Sequence, residues 1–312
     1  MKFSITIPAY KSKFLYDAIS SILYQTYNDW ELIIVDDCSP ENLYDITAPF
    51  LRDSRVRYYR NEQNCGAINV VDNWNKCLSY CTGDYVICMG DDDLLLPCCL
   101  ETYKDLIEKY PDLYVYHSRA EIIDECGKLM TLQEPRPEWE SVVSLIWNRW
   151  SSRHLQFIGD FCYSVTYLKS VGGYYKLPLA WGSDDITAIL ASRERGIANT
   201  QVIGFQYRQN SQTITSSKGN SKLKILTRLE QLRFYRTFLD EMAQQSNLSE
   251  TDVKYLKTIE NVKSKYFFGA LDNDCPNFIK GNPLRLLWCY RTLKPLSYSI
   301  GTYLKWYIKS IV

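Results

Sequence analysis

The stretch "DYVICMGDDDLLLP", residues 84–97, decides the reading of this chain: an apolar run stops at Gly90, three carboxylates follow, and a second apolar run closes on Pro97. A short, continuously apolar segment fits a strand buried on both faces, as in a parallel sheet. Three adjacent like charges at the end of such a strand repel one another unless a cation sits among them. Parallel sheets gather their ligands at the carboxyl ends of their strands, so the acids stand where a ligand is expected.

Upstream, the same alternation repeats. "FSITIP" (3–8), "ELIIVDD" (31–37) and "VRYYR" (56–60) read as strands, separated by helical patterns near 14–24, 41–52 and 68–80; another helix follows the acids near 97–109. Strand and helix in turn predict an α/β fold with a mostly parallel sheet flanked by helices. The residues just past the strands are then Pro8, Ala9 and Tyr10; Asp36 and Asp37; Asn61 to Gly66; and Asp91, Asp92 and Asp93. Solvation explains polar loops in general, but not doubled acids straight after two separate apolar strands. Gly66 and Asn64 read as backbone geometry where a side chain would obstruct a ligand.

From about 110 to 215 the pattern is mixed, with short strands at "LYVYHS", "GDFCYSV" and "VIGFQYRQ". The segment "GSDDITAILASRERG" (182–196) predicts a helix with Ile186, Ile189 and Leu190 on one face, Ser183 or Asp184 as its cap and Gly196 just past its end. Acids in a first turn suit the helix dipole, so Asp184 and Asp185 read either as capping residues or as chemistry.

The chain has 312 residues, 36 Lys plus Arg against 36 Asp plus Glu, and no net field to attract a polyanion, which disfavours nucleic acid as a partner. Its 11 cysteines include no C-x-x-C, so free thiols in a reducing cytoplasm are expected rather than a disulfide framework or zinc site. "MKFSITIPAY" lacks the apolar core of a secretory signal, and no run of 18 apolar residues exists to span a bilayer. Past residue 219 the sequence is helical, and an S-E-T-D cap signal opens the second helix. The expected division is 1–218, with halves 1–110 and 111–218, followed by a helical region 219–312. Its last 38 residues, 275–312, hold six Lys or Arg and no acid, with Trp288, Tyr290, Tyr298, Tyr303, Trp306 and Tyr307 interleaved. That composition suits an interfacial segment on an anionic membrane leaflet; a helix pair docked on the domain explains it equally.

Clustered aspartates without histidine or cysteine partners point to a hard dication held by oxygen, Mg²⁺ or Mn²⁺, with open positions for the phosphates of a nucleotide. A second acidic pair, Asp184 and Asp185, can supply a general base if the fold brings it near. Together they fit transfer of a group from a nucleotide diphosphate to an alcohol. A sugar nucleotidyltransferase would want a glycine-rich loop after the first strand, and "PAYKSKF" has none. A non-catalytic carbohydrate-binding or scaffold protein would have no need of both acid clusters.

"TIPAYKSKFLYDAISSILYQTYNDWELIIVDDCSPEN" and "NEQNCGAINVVDNWNKCLSYCTGDYVICMGDDDLLLP" resemble the family-2 inverting glycosyltransferases of bacterial surface polysaccharides: P-x-Y, Q-T-Y, V-D-D-x-S, N-x-G and acids before a proline, in order. The likeness is strong over residues 3–110 and weaker to about 215. It implies a GT-A (Rossmann-like) fold, a nucleotide-sugar donor such as a UDP-sugar, and a divalent metal. By position, Pro8, Ala9, Tyr10, Asp37, Asn64 and Gly66 would line the nucleotide pocket and Asp36 would face the base. Asp91, Asp92 and Asp93 stand at the DXD motif, contacting ribose and metal, with Gly90 where the family's first acid would be. "WGSDDITAIL" (181–190) resembles the family's W-G-G-E-D, which carries the role of catalytic base to Asp185, with Asp184 beside it and Trp181 stacking on an acceptor sugar or packed in the core. In "YRQNSQTITSS" (207–217) Arg208 would meet the diphosphate. The implied acceptor is a glycan or lipid-linked saccharide, reached at the inner face of the cytoplasmic membrane. His117 and His154, the two histidines, fall in no motif and read as structural or surface residues.

Overall fold

A computed structural model describes residues 1–210, 219–245 and 248–311. The chain divides into Met1–Thr213 and Ile214–Val312. The first unit opens with β1 (Phe3–Ala9), α1 (Leu15–Leu23), β2 (Trp30–Asp36), α2 (Leu43–Thr47), β3 (Val56–Arg60) and α3 (Val70–Tyr80). Next come β4 (Tyr85–Cys88), β5 (Leu94–Leu95), α4 (Cys99–Lys109) and β6 (Val115–Ile123), then β7 (Leu129–Leu132), β8 (Trp139–Glu140) and α5 (Val142–Trp150). The unit closes with β9 (Phe161–Ser164), α6 (Val165–Ser170), α7 (Ser183–Ser192) and β10 (Ile197–Arg208).

The sheet runs β3-β2-β1-β4-β9-β6-β10-β5, with β7 on β6 and β8 on β10. Parallel pairing is confined to β3-β2-β1-β4 and to β6 with β10; β9 joins these two blocks antiparallel to both. All seven residues of β2 are buried, as a strand covered on both faces requires. α1 buries Leu15, Ala18, Ile19 and Ile22 at helical spacing against the β1 and β2 side chains. Register places Ala9 beside Asp36 and Asp36 beside Arg60, so the first three strands end level with one another. The acids begin three residues past the end of β4, where the Met89 amide still donates to the Thr6 carbonyl at 3.0 Å.

Neither Ser183 nor Asp184 caps α7. Gly182 occupies that position at φ 85°, and the Ser183 hydroxyl accepts instead from the Leu177 amide at 3.1 Å. Gly196 does lie beyond the helix in the left-handed region, at φ 77°.

The second unit is helical: α8 (Ser221–Ala243), α9 (Glu250–Ile279), α10 (Pro283–Leu293) and α11 (Ile300–Ile311). Ser249 caps α9, its hydroxyl accepting from the Asp252 amide at 3.1 Å. The segment expected to begin at 275 has no separate existence at that boundary, because α9 continues through Pro276 to Ile279. Proline has no amide hydrogen, so the Asp272 carbonyl one turn earlier loses its helical partner, and Lys309 Nζ of α11 takes it at 2.9 Å. The Asp272 carboxylate also receives Trp306 Nε1 at 2.9 Å and Lys309 Nζ at 3.0 Å. Around this junction Leu271, Cys275, Cys289, Leu293, Tyr303 and Trp306 form a buried core. Tyr303 and Trp306, expected at a membrane interface, are therefore interior residues. No helix among the described residues is long and apolar enough to cross a membrane.

Candidate active site

The residues past β1, β2 and β4 are tied together by short polar contacts. The Ala9 carbonyl accepts from the Asp37 amide at 2.8 Å. Asp37 Oδ1 accepts from Asn61 Nδ2 and from the Cys65 amide, both at 2.9 Å, which draws the 61–66 loop onto the end of β2. In that loop the Asn64 side chain accepts from the Gly66 amide, and Gly66 adopts φ 76° to open the turn into α3. Tyr10 is exposed beside Ala9, which is fully buried behind Pro8.

Asp36 does not face an open pocket. Its Oδ1 accepts from the Ser39 amide at 2.7 Å, and its Oδ2 from Tyr58 Oη at 2.6 Å and from Arg60 Nη1. With both oxygens occupied and no exposed surface, it anchors the strand ends. Burial and then its hydrogen bond to Asp36 push the Tyr58 phenol up to about 12, so this donor stays protonated. Asp37 is buried as well, but its partners are the neighbouring 61–66 loop and not a tyrosine and an arginine.

The aspartate trio fans apart. Asp91 Oδ2 accepts from the Tyr10 and Lys11 amides, each at 2.7 Å. Asp92 Oδ2 receives Lys11 Nζ at 2.7 Å and Asn210 Nδ2 at 2.8 Å; Asp93 Oδ1 receives the Arg208 amide at 2.9 Å. Burial opposes the charge on Lys11, but Asp91 and Asp92 outweigh it and raise its pKa. Lys11 is thus part of the positive charge that the crowded acids require. Burial first and Asp92 second hold the Asp93 carboxyl well above the usual carboxylate range.

A Cβ built on Gly90 would lie 2.7 Å from Asp92 Oδ1 and 2.9 Å from Asp93 Oδ2. The two remaining carboxylate oxygens therefore face one small space, which a side chain at 90 would fill. One or two carboxylates with open positions suit a Mg²⁺ or Mn²⁺ ion that also takes phosphate oxygens, so Asp92 and Asp93 fit such an ion. Asp91 fits it less well, since its Oδ2 is held by two amides and its Oδ1 lies 3.5 Å from Lys11 Nζ. Those same amides of the loop after β1 are not available to cradle a triphosphate, which a nucleotidyltransferase would need.

Arg208 braces the acidic loop and does not reach into open space. Its guanidinium is buried, donates from Nε to the Asp92 carbonyl at 2.9 Å and lies 4.4 Å from the Phe14 ring. These contacts hold Arg208 against the acidic loop, and residues 211–217 of that segment lie outside the described residues.

The second acidic site sits on the first turn of α7, after a backbone turn with Leu179 at φ 63°, Ala180 at φ 51° and Gly182 at φ 85°. Left-handed conformations at a leucine and an alanine are strained, and such strain gathers where a chain must present particular side chains. The turn presents Trp181, half-buried, and lies against residues 67–69 just past the Asn64–Gly66 loop. Asp185 is buried, with Arg149 Nε donating to Oδ1 at 2.9 Å and to Oδ2 at 3.1 Å. Asp184 accepts the Asp185 amide at 2.9 Å, and burial followed by the Asp185 charge pushes its carboxyl up to about 7. Asp184 therefore exchanges its proton near neutral pH, while Arg149 fixes the orientation of Asp185.

A polar layer missed by sequence reasoning links the two acidic sites. Arg136, buried, experiences the charges of Glu140, Asp160, Arg149 and Asp185 and donates from Nη2 to the Leu155 carbonyl at 2.7 Å. Asp160, fully buried, accepts from Gln133 Nε2 at 2.8 Å. Next to it, Gly159 packs so tightly that a Cβ there would lie 3.3 Å from Met89 Cβ, one residue before Gly90. Both histidines are buried in this layer, His117 Nε2 lying 3.4 Å from Asp160 Oδ2; burial and then Arg136 lower their pKa to about 4 for His117 and about 3 for His154. Lys11, Arg149 and Asn210 carried no signal beyond their residue type, since each meets its acid across 36 or more positions.

The sequence model described as glycosyl transferase family 2 matches residues 4–164. The chain is a family-2 glycosyltransferase. The putative glycosyltransferase EpsE of Bacillus subtilis (strain 168) is 33% identical over 115 residues, 36% of this chain and 40% of that protein. An Escherichia coli protein, UDP-Glc:alpha-D-GlcNAc-diphosphoundecaprenol beta-1,3-glucosyltransferase WfgD, is 26% identical over 221 residues, 69% of this glycosyltransferase and 80% of the relative. Against EpsE and the Streptococcus pneumoniae serotype 4 glycosyltransferase GlyG the chain spans only 40% and 37% of their lengths. Among solved structures, S. aureus TarS 1–349 in complex with UDP-GlcNAc superposes with a TM-score of 0.65 at 15% identity, covering 98% of this chain and 89% of that one. The glycosyltransferase has the GT-A fold.

Proposed function

We propose that this enzyme moves a sugar from a UDP-sugar to a hydroxyl of a glycan or lipid-linked acceptor, with inversion, in the synthesis of a surface polysaccharide. The observation that carries the reading is the pairing of two different acidic sites in one unit, one with carboxylate oxygens open to a cation and the other with a carboxylate held side-on by an arginine. Asp185 accepts the proton of the acceptor hydroxyl. The hydroxyl oxygen forms the new bond to the anomeric carbon, the bond from that carbon to the diphosphate oxygen breaks, and its electron pair leaves with the nucleoside diphosphate. A single displacement inverts the anomeric centre. Asp184 keeps the local charge from doubling, and Arg149 orients Asp185 toward the acceptor.

Asp92 and Asp93 would hold Mn²⁺ or Mg²⁺, which supplies positive charge to the departing diphosphate. Asp37, Asn64 and Gly66 line the nucleotide end of the cleft, and Trp181 offers a flat face to an acceptor sugar. A relative named for a UDP-Glc donor and a diphosphoundecaprenol acceptor, and a structural neighbour in complex with UDP-GlcNAc, support the substrate classes, and the proposed site of action is the inner face of the cytoplasmic membrane.

The test is to incubate the full chain with a panel of sugar nucleotides, Mn²⁺ and glycan or lipid-linked acceptors, and to measure nucleoside diphosphate release and product configuration. Release from a UDP-sugar with an inverted product is expected. Silence across the panel would favour a binding scaffold, and a retained configuration would remove Asp185 as the base.

A further inference from the structure

The two C-terminal helices bury one face in the helical core and leave another apolar face in water. On α11, Ile300, Leu304, Ile308 and Ile311 follow helical spacing and are each more than half exposed; on α10, Leu284 is 74% exposed and Leu287 44%. The helices run antiparallel. Tyr290 lies 5.3 Å from Tyr303 between ring centroids, while the Gly281 amide donates to Ser310 Oγ at 3.0 Å, which brings the start of α10 to the end of α11. Ile311 thereby meets the Gly281 backbone, one turn from Leu284, and the two stripes become neighbours.

Apolar surface on this scale calls for a partner. No acid occurs from 275 onward, and among the described residues no carboxylate pairs with Lys280, Arg285, Arg291 or Lys294. A groove of about 330 Å³ beside the connection between α10 and α11 is lined by Arg233 and Arg236, and by Lys263 paired with Glu260. A second copy docking through this face would bring like charges together, whereas an anionic bilayer offers both an apolar layer and opposite charge.

We infer that α10 and α11 lie on an anionic phospholipid leaflet, inserting Leu284, Leu287, Ile300, Leu304, Ile308 and Ile311, with Arg291 and Lys294 among the lipid phosphates. The aliphatic face makes the contact; the aromatic residues of the same helices hold the unit together. This inference is independent of the assignment of the acidic sites.

Co-sedimentation of the full chain with vesicles of phosphatidylcholine, alone or mixed equally with phosphatidylglycerol, tests it. Binding to the mixed vesicles alone is expected. Leu304→Glu combined with Ile308→Glu should reduce the bound fraction about tenfold or more, and Arg291→Glu with Lys294→Glu should weaken it and flatten its salt dependence. All four positions are exposed, and unchanged helix content together with an unchanged thermal unfolding midpoint would show that the variants fold. The inference is overturned if the wild-type chain stays in the supernatant, or if Leu304→Glu/Ile308→Glu sediments with the mixed vesicles as well as wild type. A doubled mass in light scattering that this variant abolishes, without vesicle binding, would give the face to a second copy and overturn it as well.

Discussion

The two acidic sites solve one electrostatic problem in opposite ways. At 91–93, on a loop past a strand end, charge is spread over two amides, a lysine, an asparagine and a third amide, and one oxygen each of Asp92 and Asp93 is left facing Gly90. At 184–185, on a helix start, one arginine grips Asp185, and Asp184 pays with a proton affinity pushed up to about 7. Environments that drive neighbouring carboxyls apart are how a site divides roles among identical residues. On the proposed reading, the first arrangement would leave room for a cation and the second would hold a proton acceptor in place.

The largest expected break of this contrast is Asp185→Asn, which keeps the shape and the Arg149 contact but cannot take a proton. Its kcat should fall roughly 10³-fold, within the range of general-base removal, with UDP affinity little changed. A loss confined to KM would assign Asp185 to binding instead. Gly90→Ala is smaller: its methyl meets Asp92 Oδ1 and Asp93 Oδ2 and should cost about 1–3 kcal/mol of local fit, read as a tenfold or greater loss in Mn²⁺-supported turnover. Undiminished turnover would mean that those two oxygens do not act together.

The finest test concerns pH. The Asp184 carboxyl is raised from its unfolded value near 3.9 to about 7, so between these limits the native chain holds more protons than the unfolded one and this group's contribution falls as pH rises. Asp184→Asn removes that loss. In urea unfolding at pH 5 and pH 8 the variant should gain on wild type at the higher pH, and parallel curves would show that Asp184 titrates normally.

Much of this was legible in the sequence, and the part that was not has a common cause. Alternating apolar runs and helical patterns located β1 to β4 and the acids at their carboxyl edge, because a buried strand writes its period directly into residue type. The fate of single oxygens is not written there: Asp36 and Asp37 are adjacent, yet one is sealed by Tyr58 and Arg60 and the other draws in the Asn61 and Cys65 loop. Arg208 was read as meeting a diphosphate, and its bond to the Asp92 carbonyl is visible only once β10 is seen to approach the acidic loop. On α11, Tyr303 and Trp306 alternate with Leu304 and Ile308, so periodicity offers two apolar faces. Which one turns inward is decided by α9, far away in the chain.

Pro276 has a consequence for anyone who would shorten this protein. By withholding one amide it makes Asp272 a berth that only the last helix fills, with Lys309 on the orphaned carbonyl and the indole of Trp306 on the carboxylate. Cutting before residue 300 would therefore excise a keystone, leaving a hole where Trp306 stood and a thirsty oxygen beside it, and any loss of lipid affinity in so shortened a chain would report collapse of the bundle and not the removal of an anchor.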